Sequence, residues 1–583
     1  MTRPSTAEAA GTVPGPLPRR ALAWNVYGAG IESVGRDGRP EWVDVDAPGP
    51  DQLLIRIDAV GLCFSDVKLI RLGGDHPKLY GRNLAESPTR LGHEAAVTVL
   101  AVGADLADRF RPGQRLAIQP DIHVDGRSTA YGYTIPGGLI QYHVIGPEVL
   151  AADDGAYVIE VDDRLGYAEA ALTEPWACVE AAYTQRRRLW PKVGGRAWVL
   201  GDPADARPYA FGDVLAEAAE IVLTGVPATV AAEIHRHAMG AQITEAPEID
   251  AALGEFDDIV MLNPHSTTRV GAAARMLAFR GTLNIVSDEP LDGPVEIDLG
   301  RIHYHYTAYY GTARTDVAAA YGETRNRAEL RPGGVTLIVG AAGPMGQMHV
   351  QRALQMPHGP DLVIGVDLDE DRLAATRARL DSVARDAGRR LSLIALQRDG
   401  PSIVDVVREQ AGRLADDVII TAPVSSAVTA GLEALAPDGM LVLFAGLPVG
   451  TYVWLDLAPV FLHGAQYTGT SGSRIVDQAR VVEKTLLGQL SPGHSLAAIG
   501  GIDAAADGIQ AMIDGTFAGK VVIFPQLRGL PLTALTDIGS VAPEVAAALG
   551  EGGVWTAEAE ARLLGRFSSS PDEAGDTVAA DPV

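Results

Sequence analysis

Three residue types suited to metal chemistry stand in the first third of the chain. Cys63 lies in GLCFSD, His93 in LGHEA and Glu174 in TEPWACV. A thiolate, an imidazole and a carboxylate together suit Zn²⁺, and three protein ligands leave a fourth position open for water or substrate. No CxxC or HxxxH pair occurs, so spacing alone also allows a buried cysteine and an unrelated histidine. A second chemistry sits in VTLIVGAAGPMGQMHVQRAL, residues 335–354. It reads as a strand, a turn carrying Gly340, Gly343, Pro344, Met345 and Gly346, then a helix. Glycines let the backbone approach a pyrophosphate, whose charge meets the helix N-terminus. Asp367 ends the next strand-like run, LVIGVD, about twenty residues on, where a carboxylate accepts hydrogen bonds from a ribose 2′-hydroxyl. It disfavours a 2′-phosphate, so NAD is expected over NADP, with Arg372 nearby as the feature that leaves room for NADP.

These groups need a scaffold. Residues 21–160 are strand-rich: LLIRIDAVGLC, AAVTVLAVG and QRLAIQP are short β-branched runs between turn residues, as in a partly open barrel. LGYAEAALTEPWACVEAAYTQRR (165–187) reads as a helix interrupted near Glu174. After 190, strand-like runs alternate with Ala-rich helical stretches, twice over, which predicts α/β architecture with two doubly wound parallel sheets. EIDLGRIHYHYTAYYGTAR (296–314) aligns without a gap on WLDLAPVFLHGAQYTGTSG (454–472), placing Asp298 on Asp456 and Gly311 on Gly469. A duplication is the expected cause. The first copy has Gly201, Asp202 and Asp205 at its phosphate turn and no acid after EIVLTGV, so it is expected to hold no dinucleotide. HYHY (303–306) alternates as on a packed strand face.

The chain has 583 residues, 48 Lys+Arg against 74 Asp+Glu and a formal net charge of −26. This acidity opposes binding to nucleic acid or anionic membranes. No charged n-region with an apolar core opens the chain, no stretch is apolar enough to span a bilayer, and two cysteines make no disulfide framework. A cytoplasmic protein is expected, with a Cys63–Cys178 pair the lesser alternative.

GxCxSD, then GHE, then EP ahead of the first α/β unit, with GGLIQY and GKVVIF, resembles the zinc-dependent medium-chain dehydrogenases. CFSDVKL, AYGYTIPGGLIQY and ALTEPWACV resemble the sorbitol and sorbose-1-phosphate reductase branch. The resemblance covers about 21–190 and 331–525. It implies a GroES-like barrel and Rossmann domains: a disordered tail over 1–20, a catalytic domain over 21–190 completed by about 500–566, a degenerate Rossmann-like domain over 191–330, an NAD-binding domain over 331–499 facing Cys63 across a cleft, and a tail over 567–583. It implies that Cys63, His93 and Glu174 hold one catalytic zinc, with Glu94 as an alternate ligand. Asp66 would orient a ligand, and Ser65 would relay a proton. Two departures bear on this. The structural zinc that the family often carries lacks its cysteines here. Lys68 stands where an outer relay histidine is usual, and reads equally as a phosphate contact or a solvated lysine. The implied reaction interconverts a secondary alcohol and a ketone on a polyol, ketose, cyclitol or a phosphate of these, in a homo-oligomer. A metal-independent quinone-reductase-like enzyme, or a binding protein using the first α/β domain, are the alternatives.

Overall fold

The computed structural model describes residues 11–12 and 16–567. The chain folds into two compact units. Of the described residues, one comprises those up to Cys178, residues 378–382 and those from Gly472 to Phe567; the other comprises Val179–Arg377 and Val383–Ser471. The first unit leaves off at Cys178 and resumes at Gly472, beside the expected catalytic-domain bounds of 190 and about 500.

The first unit is built on a nine-stranded sheet whose hub is Leu53–Gly61, flanked by Glu94–Val102, Tyr142–Ile145 and Lys520–Phe524. Its path is open, ending at Val158–Glu160 and Thr533–Ala534, as a partly open barrel requires. Both faces of the hub are covered: Leu53, Ile55, Ile57 and Val60 lie in one buried cluster and Leu54 in another. Two irregularities in its pairing with Glu94–Val102 bend it, as bulges do. Gly11–Thr12 pairs with Val102 and Ala101, so part of the expected N-terminal tail is ordered; residues 1–10, 13–15 and 568–583 lie outside the described residues. The chain returns after 500: Lys520–Phe524 joins the hub, and Trp24 Nε1 donates to Ile502 O at 2.7 Å. Helix Tyr167–Ala181 runs straight through Pro175, so the expected interruption near Glu174 is not there. Its first turn is held by Glu560 of helix Ala557–Phe567, which accepts from Tyr167 N and Ala168 N.

The second unit holds two six-stranded parallel sheets. The first runs Gln242–Glu245, Glu220–Thr224, Arg196–Leu200, Phe256–Leu262, Leu277–Val286, Ala308–Thr312; the second runs Arg390–Ala395, Leu362–Asp367, Val335–Val339, Ala415–Ile420, Leu435–Leu443, Gln466–Gly469. Numbered along each copy, both orders are 3-2-1-4-5-6, the doubly wound pattern. The copies differ after their first strand. Pro344–Gln355 is helical in the second, whereas no helix lies between Leu200 and Glu220 in the first. HYHY is also not a strand: Leu299–Tyr304 is a helix that ends before His305. No helix among the described residues is long and apolar enough to cross a membrane.

His349, on helix Pro344–Gln355, is fully buried; its Nδ1 lies 2.7 Å from Tyr183 Oη and its ring packs on Phe444. Burial, then the Arg352 charge, lowers its pKa to about 3. The folded value is depressed, so the unfolded chain takes the proton first as pH falls. Stability is therefore lost between about pH 6.5 and 3, by roughly 1.4 kcal/mol per pH unit from this group. Urea denaturation at pH 7 and pH 5 should show a smaller pH effect in His349→Gln than in the parent; an equal effect refutes the assignment.

Candidate active site

The hub strand delivers Cys63 to the N-terminus of helix Phe64–Leu72, where Cys63 is the N-cap. Asp66, three residues on, turns back to accept the Cys63 N–H at 2.9 Å. Its other oxygen lies 3.4 Å from His93 Nδ1, a contact of ion-pair length without hydrogen-bond geometry. One short helix turn thus fixes both the cysteine and the histidine. Leu62 N donates to Val521 O, tying the turn to the returning strand.

His93 precedes strand Glu94–Val102, and the register sets Glu94 opposite Gly61. A Cβ at Gly61 would lie 2.0 Å from Glu94 Oε2, so a side chain there would displace the Glu94 carboxylate. The ligand atoms of Cys63, His93 and Glu94 all lie within 4.8 Å of one another. Ser65 Oγ stands 3.3 Å from His93 Nε2. Lys520, the first residue of its strand, donates to Glu94 Oε1 and to Leu62 O. Sequence reasoning passed over Lys520; a lysine opening the apolar run KVVIF was the available signal.

The charges are shaped by this packing. Burial pushes the Cys63 thiol up, but Lys520 and His93 outweigh it and bring its pKa down to about 6. Burial raises the Glu94 carboxyl to about 8, with Lys520 opposing. Burial would lower Lys520, yet Glu94 and Cys63 hold it above its usual range. A ready thiolate, an imidazole and a carboxylate oxygen without a hydrogen-bond partner, Glu94 Oε2, make a donor set that fits a zinc ion. Glu174 is buried beside this group but outside it. Its carboxyl is raised to about 7 by burial, with His93 as the strongest opposing charge. Cys63 and Cys178 are both free thiols, so the alternative of a disulfide is withdrawn.

A polar wall adjoins the cluster. Tyr133 packs its ring 5.9 Å from the His93 ring and 4.9 Å from Lys78 Nζ. Lys78 pairs with Asp121 at 3.0 Å, and Asp121 also accepts Ser473 N at 3.3 Å. Nothing local in the sequence marks Lys78, Asp121 or Tyr133. Lys68 is exposed on the cysteine's helix, and its charge reaches His76.

The second unit carries the glycine turn. Gly340 has φ +91, and a Cβ there would meet Thr421 Oγ1 and Ala422 N at 2.8 Å. A Cβ at Gly346 would lie 2.1 Å from Gly340 O, whereas at Gly343 nothing comes closer than 3.6 Å. Gly343 is the N-cap of Pro344–Gln355 and supplies no side-chain cap; Pro344 and Met345 begin the helix, half-buried. Asp367 accepts Ala342 N at 2.8 Å and Leu368 N at 2.7 Å, which sets its carboxylate at the turn. Arg372 Nε donates to Ala342 O at 3.3 Å. A tight glycine turn open at Gly343, uncapped helix N–H groups and a carboxylate beyond the second strand fit a dinucleotide. In the first copy, Asp202 accepts Ala204 N instead, and Arg207 is engaged by Asp205, Asp288 and Glu289.

Residues 49–154 match the alcohol dehydrogenase GroES-like domain family. The L-sorbose 1-phosphate reductase of Klebsiella pneumoniae is 24% identical over 539 residues, covering 91% of this chain and 95% of that protein. The mannitol-1-phosphate 5-dehydrogenase of Aliivibrio fischeri is 23% identical over 526 residues, covering 88% and 92%. The crystal structure of 2R,3R-butanediol dehydrogenase from Bacillus subtilis superposes with a TM-score of 0.50 at 14% identity, covering 87% of this chain and 99% of that one, a likeness of fold. With a GroES-like match over residues 49–154, two Rossmann-type sheets and a Cys–His–Glu cluster, the chain is similar to the zinc-binding medium-chain dehydrogenases and reductases.

Proposed function

We propose that this alcohol–ketone oxidoreductase transfers hydride between NAD(H) and a polyol, ketose, cyclitol or a phosphate of one of these, using a single zinc ion. The observation that carries the reading is the Cys63–His93–Glu94 group, with donor atoms within 4.8 Å and an unpartnered Glu94 Oε2. Cys63 and His93 would hold the metal with Glu94 or Glu174 as the third ligand. Bound there, zinc supplies a Lewis acid for the alcohol or carbonyl oxygen, and NAD supplies the hydride acceptor.

The chain's own groups do the rest. Asp66 holds the His93 ring from its Nδ1 side. Ser65 stands beside the cluster and passes the hydroxyl proton outward. The Lys78–Asp121 pair offers a donor and an acceptor to substrate hydroxyls next to Tyr133. Lys68 and His76 lie farther out and suit a substrate phosphate. Two relatives matched over most of their length are named for sugar or alditol phosphates, which supports including phosphates in the substrate class. Asp367 favours a free ribose hydroxyl and hence NAD over NADP. Two free cysteines suit the reducing cytoplasm, where we place the reaction.

The test is a screen of polyols, cyclitols, ketoses and their phosphates against zinc-loaded enzyme, followed at the NADH absorbance. No change with any of them refutes the reading. Ser65→Ala should lower kcat by about 10²-fold, the low end of general acid–base effects, and leave NAD affinity unchanged. Equal losses in both would remove Ser65 from the relay.

A further inference from the structure

The two α/β domains of the second unit meet through equivalent elements. Strand Val295–Asp298 of the first pairs antiparallel with Tyr452–Leu455 of the second. In the alignment of the repeats, Glu296 falls on Trp454, and these two residues are partners in the ladder. Val295 pairs with Leu455, the equivalent of Ile297; Ile297 pairs with Val453, the equivalent of Val295. The ladder is thus centred on one pair of equivalent residues, which is the register of a two-fold axis.

The contacts beside it are reciprocal as well. A Cβ at Gly311 would lie 2.3 Å from Phe461 Cβ, and one at the equivalent Gly469 would lie 3.1 Å from the Cα of His303, the equivalent of Phe461. Within each domain the segment after the ladder is capped alike: Asp298 accepts Gly300 N and Asp456 accepts Ala458 N, both at 2.9 Å. Residue i touching j, and j touching i, is the mark of an isologous interface, the kind that joins two copies of one protein.

The interface is apolar and continuous. Ile297, Leu299, Ile302 and Tyr309 from the first domain share one buried apolar cluster with Leu455, Val460, Phe461 and Tyr467 from the second. Such a cluster resembles a core cut in half and not a hinge. What the first domain has kept and lost also divides cleanly. Helix Thr267–Arg275 and strand Leu277–Val286 begin at the same offset from Ser425–Glu433 and Leu435–Leu443 as separates Asp298 from Asp456. The half that builds the interface is preserved element by element. The half that would hold a pyrophosphate has no helix at all between Leu200 and Glu220.

We infer that the first α/β domain is a built-in partner: it occupies the face of the cofactor domain on which a second copy of this chain would dock, so the protein works as a single chain. This replaces the homo-oligomer expected from the sequence and does not depend on the proposed reaction. A second copy reaching that face must first expel a covalently attached, equally complementary domain, whose effective concentration is far above any protein concentration in solution.

Sedimentation equilibrium of the full-length protein across micromolar concentrations should give one chain, 61.2 kDa, throughout. A two-chain mass at any of them overturns the inference. The face itself is tested with the Glu296→Cys/Trp454→Cys double variant, oxidised and mapped by peptide mass spectrometry. A cross-link inside one chain, with the migration of a monomer, is expected. A cross-link between chains, or none, overturns it.

Discussion

Cys63→Ser should leave the protein folded, remove its zinc and lower turnover by at least ~10³-fold, the several kcal/mol that Lewis-acid stabilisation of a developing oxyanion is worth. The fold is expected to survive because Cys63 is a helix N-cap, a position that serine fills better than cysteine, and because Asp66 holds the backbone N–H of residue 63 whichever side chain is there. The metal is expected to leave because the thiol, brought to about 6 by Lys520 and His93 against the cost of burial, is the soft anionic donor of the set. A serine hydroxyl in the same place stays protonated and binds zinc weakly. Elemental analysis should give one zinc per parent chain and almost none in the variant, with unchanged circular dichroism. Two zincs per parent chain, or full zinc and turnover in Cys63→Ser, would show that the cluster is not the catalytic metal site.

Calorimetric titration should give one NAD per chain, abolished by Gly343→Trp and retained by Gly201→Trp. Gly343 is the discriminating position because a Cβ there meets nothing closer than 3.6 Å, so the turn accepts a side chain without unfolding. The side chain then stands where a pyrophosphate must approach the uncapped N-terminus of Pro344–Gln355. Losing two or so charge-assisted hydrogen bonds to that phosphate costs about 3–5 kcal/mol, or at least ~10²-fold in affinity. Gly346 would be a poor probe, since its Cβ would collide with Gly340 O and damage the turn itself. Gly201 opens a segment that forms no helix, so a bulky side chain there has no phosphate to exclude. Two equivalents of NAD, or binding lost through the Gly201 change alone, would place the cofactor in the other domain.

The glycine turn was legible because its chemistry is local. A strand, three glycines, a helix and Asp367 lie within one βαβ stretch, and close backbone approach requires glycine at Gly340 and Gly346. The duplication was legible for the same reason: equal spacing of Asp298, Gly311 and Thr312 with Asp456, Gly469 and Thr470 survives because strand and turn lengths are short-range properties. The helix expected after Gly201 failed by the same logic run too far, since an Ala-rich composition permits a helix but nothing local there caps or packs one. HYHY was misread because alternation over four residues suits a strand and equally a short helix, and the N-cap Asp298 decided for the helix.

The sequence by itself determined the residue types, the GroES-like and Rossmann elements and the family words around Cys63, His93 and Glu174. Tertiary structure decided which of them meet. Glu94 joins Cys63 and His93 because antiparallel register sets it against Gly61, and Glu174 stays outside that group. Lys520, more than four hundred residues away in sequence, tunes the site only because its strand pairs with Leu53–Gly61. The role of the first α/β domain was likewise beyond reading. A repeat shows in a sequence as similarity, but whether two copies face each other across an axis depends on long-range strand pairing, which no local pattern encodes.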